Sequence, residues 1–136
     1  MTKYYLDTCV LLDYYEKRGK NGEIALKLIN KINERQDFVI YSDLHIIELK
    51  KLDYKYKEIN GIFKVFNSII KAHVNNEQLN EAKILVNHIK IPRKDALHAV
   101  IARDNEAILI SHDKHFELLK YLIEVKTPLE LVEFSF

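Results

Sequence analysis

Lys3-Tyr4-Tyr5-Leu6-Asp7-Thr8 opens the chain with a short apolar run that stops at an acid, and Ala107-Ile108-Leu109-Ile110-Ser111-His112-Asp113 repeats the pattern near the other end. Short apolar runs rich in β-branched and aromatic residues, bounded by turn-forming residues, read as buried strands. Phe38-Val39-Ile40-Tyr41 is a third such run, and a weaker one lies at 123–125. Between the first and third runs the apolar spacing is helical, to about Lys17 and again from Glu23 to Glu34, so the chain opens β-α-α-β. The spacing then predicts a helix from Asp43 capped by Ser42, one from Glu58 to Ala72, one from Glu77 to Ile89 after Asn75-Asn76, and one starting at Pro92-Arg93. Thr127-Pro128 reads as the cap and first residue of a closing helix. Buried strands separated by helices need crossover connections, which makes the sheet mostly parallel and covers both its faces. The expected fold is therefore a three-layer α/β/α sandwich, with its functional crevice beyond the carboxyl ends of the strands.

The rest of the composition sets bounds. A chain of 136 residues, 48% hydrophobic and 30% charged, is expected to form one domain over 1–136, with no linker, repeat or low-complexity stretch. The formal charge of +1 excludes a global basic field that would steer the whole molecule onto nucleic acid. No apolar stretch nears the length of about 18 residues that a membrane span needs, and Asp7 interrupts any signal core, so a cytoplasmic protein is expected. Cys9 is alone, which leaves no internal disulfide and no Cys/His cluster for structural zinc.

Four acids stand where acids are costly or conspicuous. Asp7 and Asp113 follow two strands, although a helix cap for the first and a turn for the second are simpler readings of each alone. Glu48 falls one turn from Leu44 and Leu52 on the face that should meet the core, so it needs a partner such as Lys51 or a neighbouring helix, or the edge of a cleft. Asp95 lies in the first turn of the helix opened by Pro92, above the small residues Ala99 and Ala102, and His98 stands within hydrogen-bonding reach as a structural partner rather than a metal ligand. Acids converging from strand ends and crossover helices need a counter-charge, and oxygen-only ligands suit hard divalent ions such as Mg²⁺ or Mn²⁺. Such a centre serves in-line phosphoryl displacement, the chemistry of a nuclease.

In order along the chain, Tyr4-Tyr5-Leu6-Asp7-Thr8, Ser42 to Glu48-Leu49, Asp95-Ala96-Leu97-His98-Ala99 and Ile110-Ser111-His112-Asp113-Lys114-His115-Phe116 resemble the PIN domain family, down to the closing Thr127-Pro128-Leu129-Glu130. The resemblance implies a metal-dependent endoribonuclease with Asp7, Glu48, Asp95 and Asp113 around Mg²⁺ or Mn²⁺. Ser111 matches the small hydroxyl position that orients an acid or the attacking water. A free-standing domain of this size is similar to VapC toxins of type II toxin–antitoxin pairs, which implies a structured RNA substrate, a small antitoxin as partner and a homodimer. PIN domains of RNA processing or decay, and a PIN-like module that binds RNA or protein without turnover, remain alternatives. Asp104, Glu106 and Glu117 are further acids near the motifs, the last also a partner for Lys114 or Lys120.

Residues 50–71 carry six Lys against two acids, a local +4, whereas 1–49 sum to −1 and 72–136 to −2. Lys50, Lys51, Lys55 and Lys57 alternate there with Tyr54 and Tyr56, a pattern that suits phosphates and unpaired bases as well as a solvated surface. Arg93 and Lys94, beside Asp95, are the other expected RNA contacts, and Phe134 and Phe136 suggest apolar surface at the end of the chain. A haloacid-dehalogenase-type phosphatase would need a second acid two positions after Asp7, where Cys9 stands, and a receiver-like domain would need an acid adjacent to Asp7.

Overall fold

The structure, a computed structural model, describes residues 1–134, with side chains described as far as Glu133. The expectation for Phe134 and Phe136 concerns side chains outside those described. The elements run β1 (Lys3–Leu6), α1 (Thr8–Tyr15), α2 (Gly19–Glu34), β2 (Phe38–Ser42), α3 (Asp43–Lys51), α4 (Tyr56–Phe63), β3 (Ile69–Ala72), α5 (Asn76–His88) and α6 (Arg93–Asp104). After these come β4 (Ile108–Ile110), a 3₁₀ helix (Lys114–Leu119), β5 (Val125–Lys126) and α7 (Pro128–Phe134). The five strands form one sheet, every neighbouring pair parallel, in the order β3-β2-β1-β4-β5.

Side-chain alternation on the strands builds two cores. Tyr4 and Leu6 of β1 point into one cluster with Val39 and Ile110, where α1, α2, α4 and α7 supply Val10, Leu28, Ile29, Ile62 and Leu131. Tyr5, between them, points the other way with Ile40 and Leu109, where α5, α6 and the 3₁₀ helix supply Ala82, Ala96, Ala99, Phe116 and Leu119. Each fully buried Leu, Ile or Phe stabilises the fold by about 1.5–3 kcal/mol, so both helical layers are held mainly by apolar burial. The alanines of α6 let that helix approach the sheet and α5 closely, and every residue from Asp95 to Ala102 is buried.

One expected element is divided. Instead of a helix from Glu58 to Ala72, α4 ends at Phe63 and β3 forms the sheet edge, pairing Val39 with Ile69 and Ile40 with Ile70. The break is enforced from a distance: the Asn33 side chain donates to the Val65 carbonyl at 2.9 Å and accepts from the Asn67 N–H at 3.0 Å, which clamps the turn and aims Ile69-Ile70 at β2. Smaller shifts put the start of α2 at Gly19 rather than Glu23 and the last strand at Val125–Lys126 rather than 123–125. The closing helix has the expected cap, with Thr127 Oγ1 accepting from the Glu130 N–H at 3.1 Å and Glu130 accepting from the Thr127 N–H at 3.0 Å.

From β1 the chain proceeds outward to β2 and β3, while β4 and β5 extend the sheet from its other side. The adjacent strands β1 and β4 thus mark the topological switch point, where parallel sheets open a crevice beyond their carboxyl ends.

Candidate active site

Pairing of Leu6 with Ile110, continued by an Asp7 N–H bond to the Ile110 carbonyl at 2.9 Å, sets Asp7 and Ser111 side by side where β1 and β4 end. Ser111 Oγ donates to Asp7 Oδ2 at 2.7 Å and accepts from the Asp113 N–H at 2.9 Å, so one buried hydroxyl orients the Asp7 carboxylate and fixes the backbone at Asp113. Asp7 occupies the cap position of α1 but makes no side-chain cap bond, which leaves its carboxylate to the crevice. Asp113 does make the turn anticipated for it, Oδ1 accepting from the His115 N–H at 2.9 Å, and still lines the crevice.

Glu48 reaches the same place from α3. Its Oε1 accepts from Thr8 Oγ1 at 2.6 Å and from His98 Nε2 at 2.7 Å, and its Oε2 lies 3.9 Å from Lys94 Nζ. Burial alone pushes this carboxyl up, but the bonds from His98 and Thr8 outweigh it and hold the pKa down at about 2. The anticipated partner on a neighbouring helix is therefore His98 of α6, not Lys51. His98 does not bond Asp95, which is one turn earlier; that bond comes from His115, whose Nδ1 lies 3.1 Å from Asp95 Oδ2 and 3.2 Å from Asp113 Oδ1. Asp95 is only 4% exposed, and burial, with the charges of Asp113 and Asp7 adding to it, raises its pKa against the opposing His115 bond.

The four acids line one cleft of about 350 Å³, whose other wall is aliphatic, formed by Leu12, Leu44, Ile47 and Leu52, with Cys9, Lys51 and Lys94 also lining it. Among the described residues, Asp95, Asp113 and His115 offer ligand atoms all within 4.8 Å of one another. A roomier groove of about 490 Å³ lies between α1, α2 and α4, where Tyr14, Tyr15 and Leu26 stand over Gly22 and Gly61. Its lining includes one carboxylate, Glu23, against four in the smaller cleft.

The remaining expected residues scatter. Lys51 and Lys94 line the acidic cleft, Lys50 and Lys55 are exposed away from its lining, and Arg93 lines a separate depression with Lys83 and Asn87. Tyr54 is half-buried, its hydroxyl donating to Glu16 at 2.9 Å and its ring edge-on to Tyr15. Asp104 is taken by Arg103 and Gln78, and Glu117 by Lys120, so neither joins the site. Sequence reasoning missed His115 and Thr8 as site residues, although each sits beside a flagged acid, and it missed the polar role of Tyr5 in the middle of a buried strand.

The PIN domain family model matches residues 4–120. No curated protein matches the chain. Among solved structures, VapBC2 from Rickettsia felis bound to a DNA fragment from their promoter matches with a TM-score of 0.70 at 17% identity, covering 93% of this chain and 98% of that one. VapBC-1 from nontypeable Haemophilus influenzae matches with a TM-score of 0.70 at 19% identity, covering 94% and 99%. A toxin–antitoxin complex from Klebsiella pneumoniae matches with a TM-score of 0.64 at 19% identity, covering 92% and 97%. At such identities the likeness is one of fold.

Proposed function

The chain belongs to the PIN domain family, and from that premise we propose that it is a metal-dependent endoribonuclease and the toxin of a type II toxin–antitoxin pair. The observation that carries the reading is the convergence of Asp7, Glu48, Asp95 and Asp113 on one cleft at the topological switch point. The donor set fits a divalent cation, being mostly carboxylate oxygen, and Asp95, whose pKa is raised by burial with the charges of Asp113 and Asp7 adding to it, would ionise more readily beside such an ion. Asp7, Glu48, Asp95 and Asp113 would hold Mg²⁺ or Mn²⁺, with His115 as a nitrogen donor beside Asp95 and Asp113. When bound, the ion supplies water activation and charge neutralisation for displacement at phosphorus.

The chain's own groups do the rest. Ser111 fixes the orientation of Asp7 and, through the Asp113 backbone, the start of the turn that carries Asp113. Lys94 and Lys51 at the rim would meet backbone phosphates, with Lys50, Lys55 and Arg93 as contacts away from the cleft and the half-buried Tyr54 as a base contact. The aliphatic wall of Leu44, Ile47 and Leu52, its last two members exposed, gives an unpaired base an apolar surface. A small antitoxin as inhibitor is supported by neighbours that are toxin–antitoxin structures, and a homodimer in the cytoplasm completes the proposal. Among the described residues, no helix is long and apolar enough to cross a membrane.

The test is incubation of purified protein, freed of any partner, with structured RNA in Mn²⁺. Cleavage should stop with EDTA and with Asp7→Asn. Cleavage surviving both sinks the metal mechanism, and binding without cleavage returns the protein to the class of non-catalytic modules.

A further inference from the structure

Beneath the acidic cleft runs a chain of polar groups that no apolar core requires. Ser42 Oγ lies 2.9 Å from the Tyr5 hydroxyl, that hydroxyl lies 2.5 Å from His98 Nδ1, and His98 Nε2 lies 2.7 Å from Glu48 Oε1. Tyr5 and Ser42 are fully buried and His98 is 1% exposed, so the two inner bonds form away from water and the third reaches Glu48 at the cleft. Burying three polar side chains in place of apolar ones stabilises nothing by itself. Its continuity from Ser42 to Glu48 is what distinguishes it. A carboxylate only accepts, so His98 must carry a proton on Nε2 to bond Glu48, while Tyr5, itself bonded to Ser42, holds the ring at Nδ1.

Its endpoint is equally specific. Two donors, Thr8 Oγ1 and His98 Nε2, fall on the same oxygen of Glu48. The other oxygen, Oε2, has Lys94 Nζ beside it at 3.9 Å. A carboxylate pinned through one oxygen presents the other at a fixed place and angle. The anchoring extends to the backbone: His45, also on α3, accepts the Ser42 N–H at Nδ1 (3.0 Å) and donates from Nε2 to the Leu6 carbonyl (2.7 Å), one residue before Asp7.

We propose that His98, held at Nδ1 by Tyr5 and donating from Nε2, is a positioning residue that pins Glu48 through Oε1 and so sets the place of its other oxygen among the groups that would hold the divalent ion. This rests on the reading of Glu48 as a metal ligand. Outer partners of this kind commonly govern metal affinity by 10-fold to 100-fold, an effect separable from fold stability.

The experiment compares Mn²⁺ binding by calorimetry for the intact chain, His98→Asn and His98→Gln, with a thermal melt of each metal-free protein. Asn places its amide where Nδ1 stood and keeps the Tyr5 contact, while Gln reaches the position of Nε2 and can still donate to Glu48. Mn²⁺ affinity should fall at least about tenfold in His98→Asn and stay within about threefold in His98→Gln, whichever variant melts lower. Equal affinity in all three proteins overturns the proposal, as does a common loss that follows melting temperature. Failure of the intact chain to bind Mn²⁺ overturns the metal reading itself, and this inference with it. Should His98→Asn not fold, ¹⁵N spectra of the intact chain decide: a proton on Nε2, with a resonance that moves on adding Mg²⁺, supports the assignment, and an Nε2 without a proton overturns it.

Discussion

Lowering the pH of the metal-free protein should remove a definable share of its stability through Glu48. Its carboxyl is held from 4.5 down to about 2, despite burial, by His98 and Thr8, and its side chain is only 15% exposed, so solvent screening takes little from the effect. At 1.36 kcal/mol per pKa unit the depression is worth about 3 kcal/mol. The sign is that of a depressed acid: the stabilisation is complete above the unfolded value near 4.5 and disappears as pH falls through the folded value near 2. About 2 kcal/mol should be gone by pH 3. Glu48→Gln keeps the shape and can still accept both bonds, but lacks the charge. Urea denaturation in EDTA from pH 7 to pH 2.5 should therefore show the intact chain more stable than Glu48→Gln by up to about 3 kcal/mol at pH 7, with the gap closing toward the acid end. Carboxylates common to both proteins cancel in that difference. Parallel stability profiles over the range would refute the assignment of Glu48 to a charge-stabilising pocket.

Asp95 should behave in the opposite sense: its pKa is raised, so ionisation costs folded-state stability above the unfolded value near 3.8, and metal-free Asp95→Asn should melt above the intact chain at pH 7 but not at pH 3. Mn²⁺ at 100 times its dissociation constant should stabilise the intact chain by about 2.7 kcal/mol, roughly 10 °C in a melt, and Asp95→Asn should lose that gain. Gly22→Ala would place a Cβ 2.7 Å from the Asp13 carbonyl oxygen and 3.1 Å from the Lys17 carbonyl carbon, both backbone. Urea denaturation should show a loss of about 1–3 kcal/mol, against about 1 kcal/mol for Gly19→Ala, where the cost is the left-handed backbone alone.

The sheet and the four acids were legible because their signals are local. Strand runs of β1, β2 and β4 end at turn-forming residues, and an acid after a buried strand stands out in any window. What escaped is contact across the sequence. Asn33 dictates the break between α4 and β3 from 34 residues away, against a helical spacing that Phe66 prolongs. His98 was read with Asp95 as its partner: helical spacing puts it one turn from Asp95, but its ring turns to α3 and β1, a choice fixed by the packing of α6 against the sheet. Tyr5 looked like a core ring because its polar end is a single atom, and nothing local shows that Ser42 and His98 meet it.

Space also redraws the charge argument. The +4 of residues 50–71 is a property of the chain, not of one face of the molecule. Lys71 lies on the edge strand in an ion pair with Asp43 at 3.2 Å, and Lys55 and Lys57 stand at the start of α4. From that run Lys51 lines the acidic cleft, where it is joined by Lys94 from α6. Four carboxylates and two ammonium groups therefore share one opening, and in that balance a phosphate meets net repulsion until a cation offsets the acids. If the cleft holds a divalent ion, the ion and the RNA must favour each other's binding, because linkage makes any coupling between them reciprocal. On the proposed function, a nearly neutral chain would need no basic face to bind nucleic acid, since the charge it lacks would be brought by the ion.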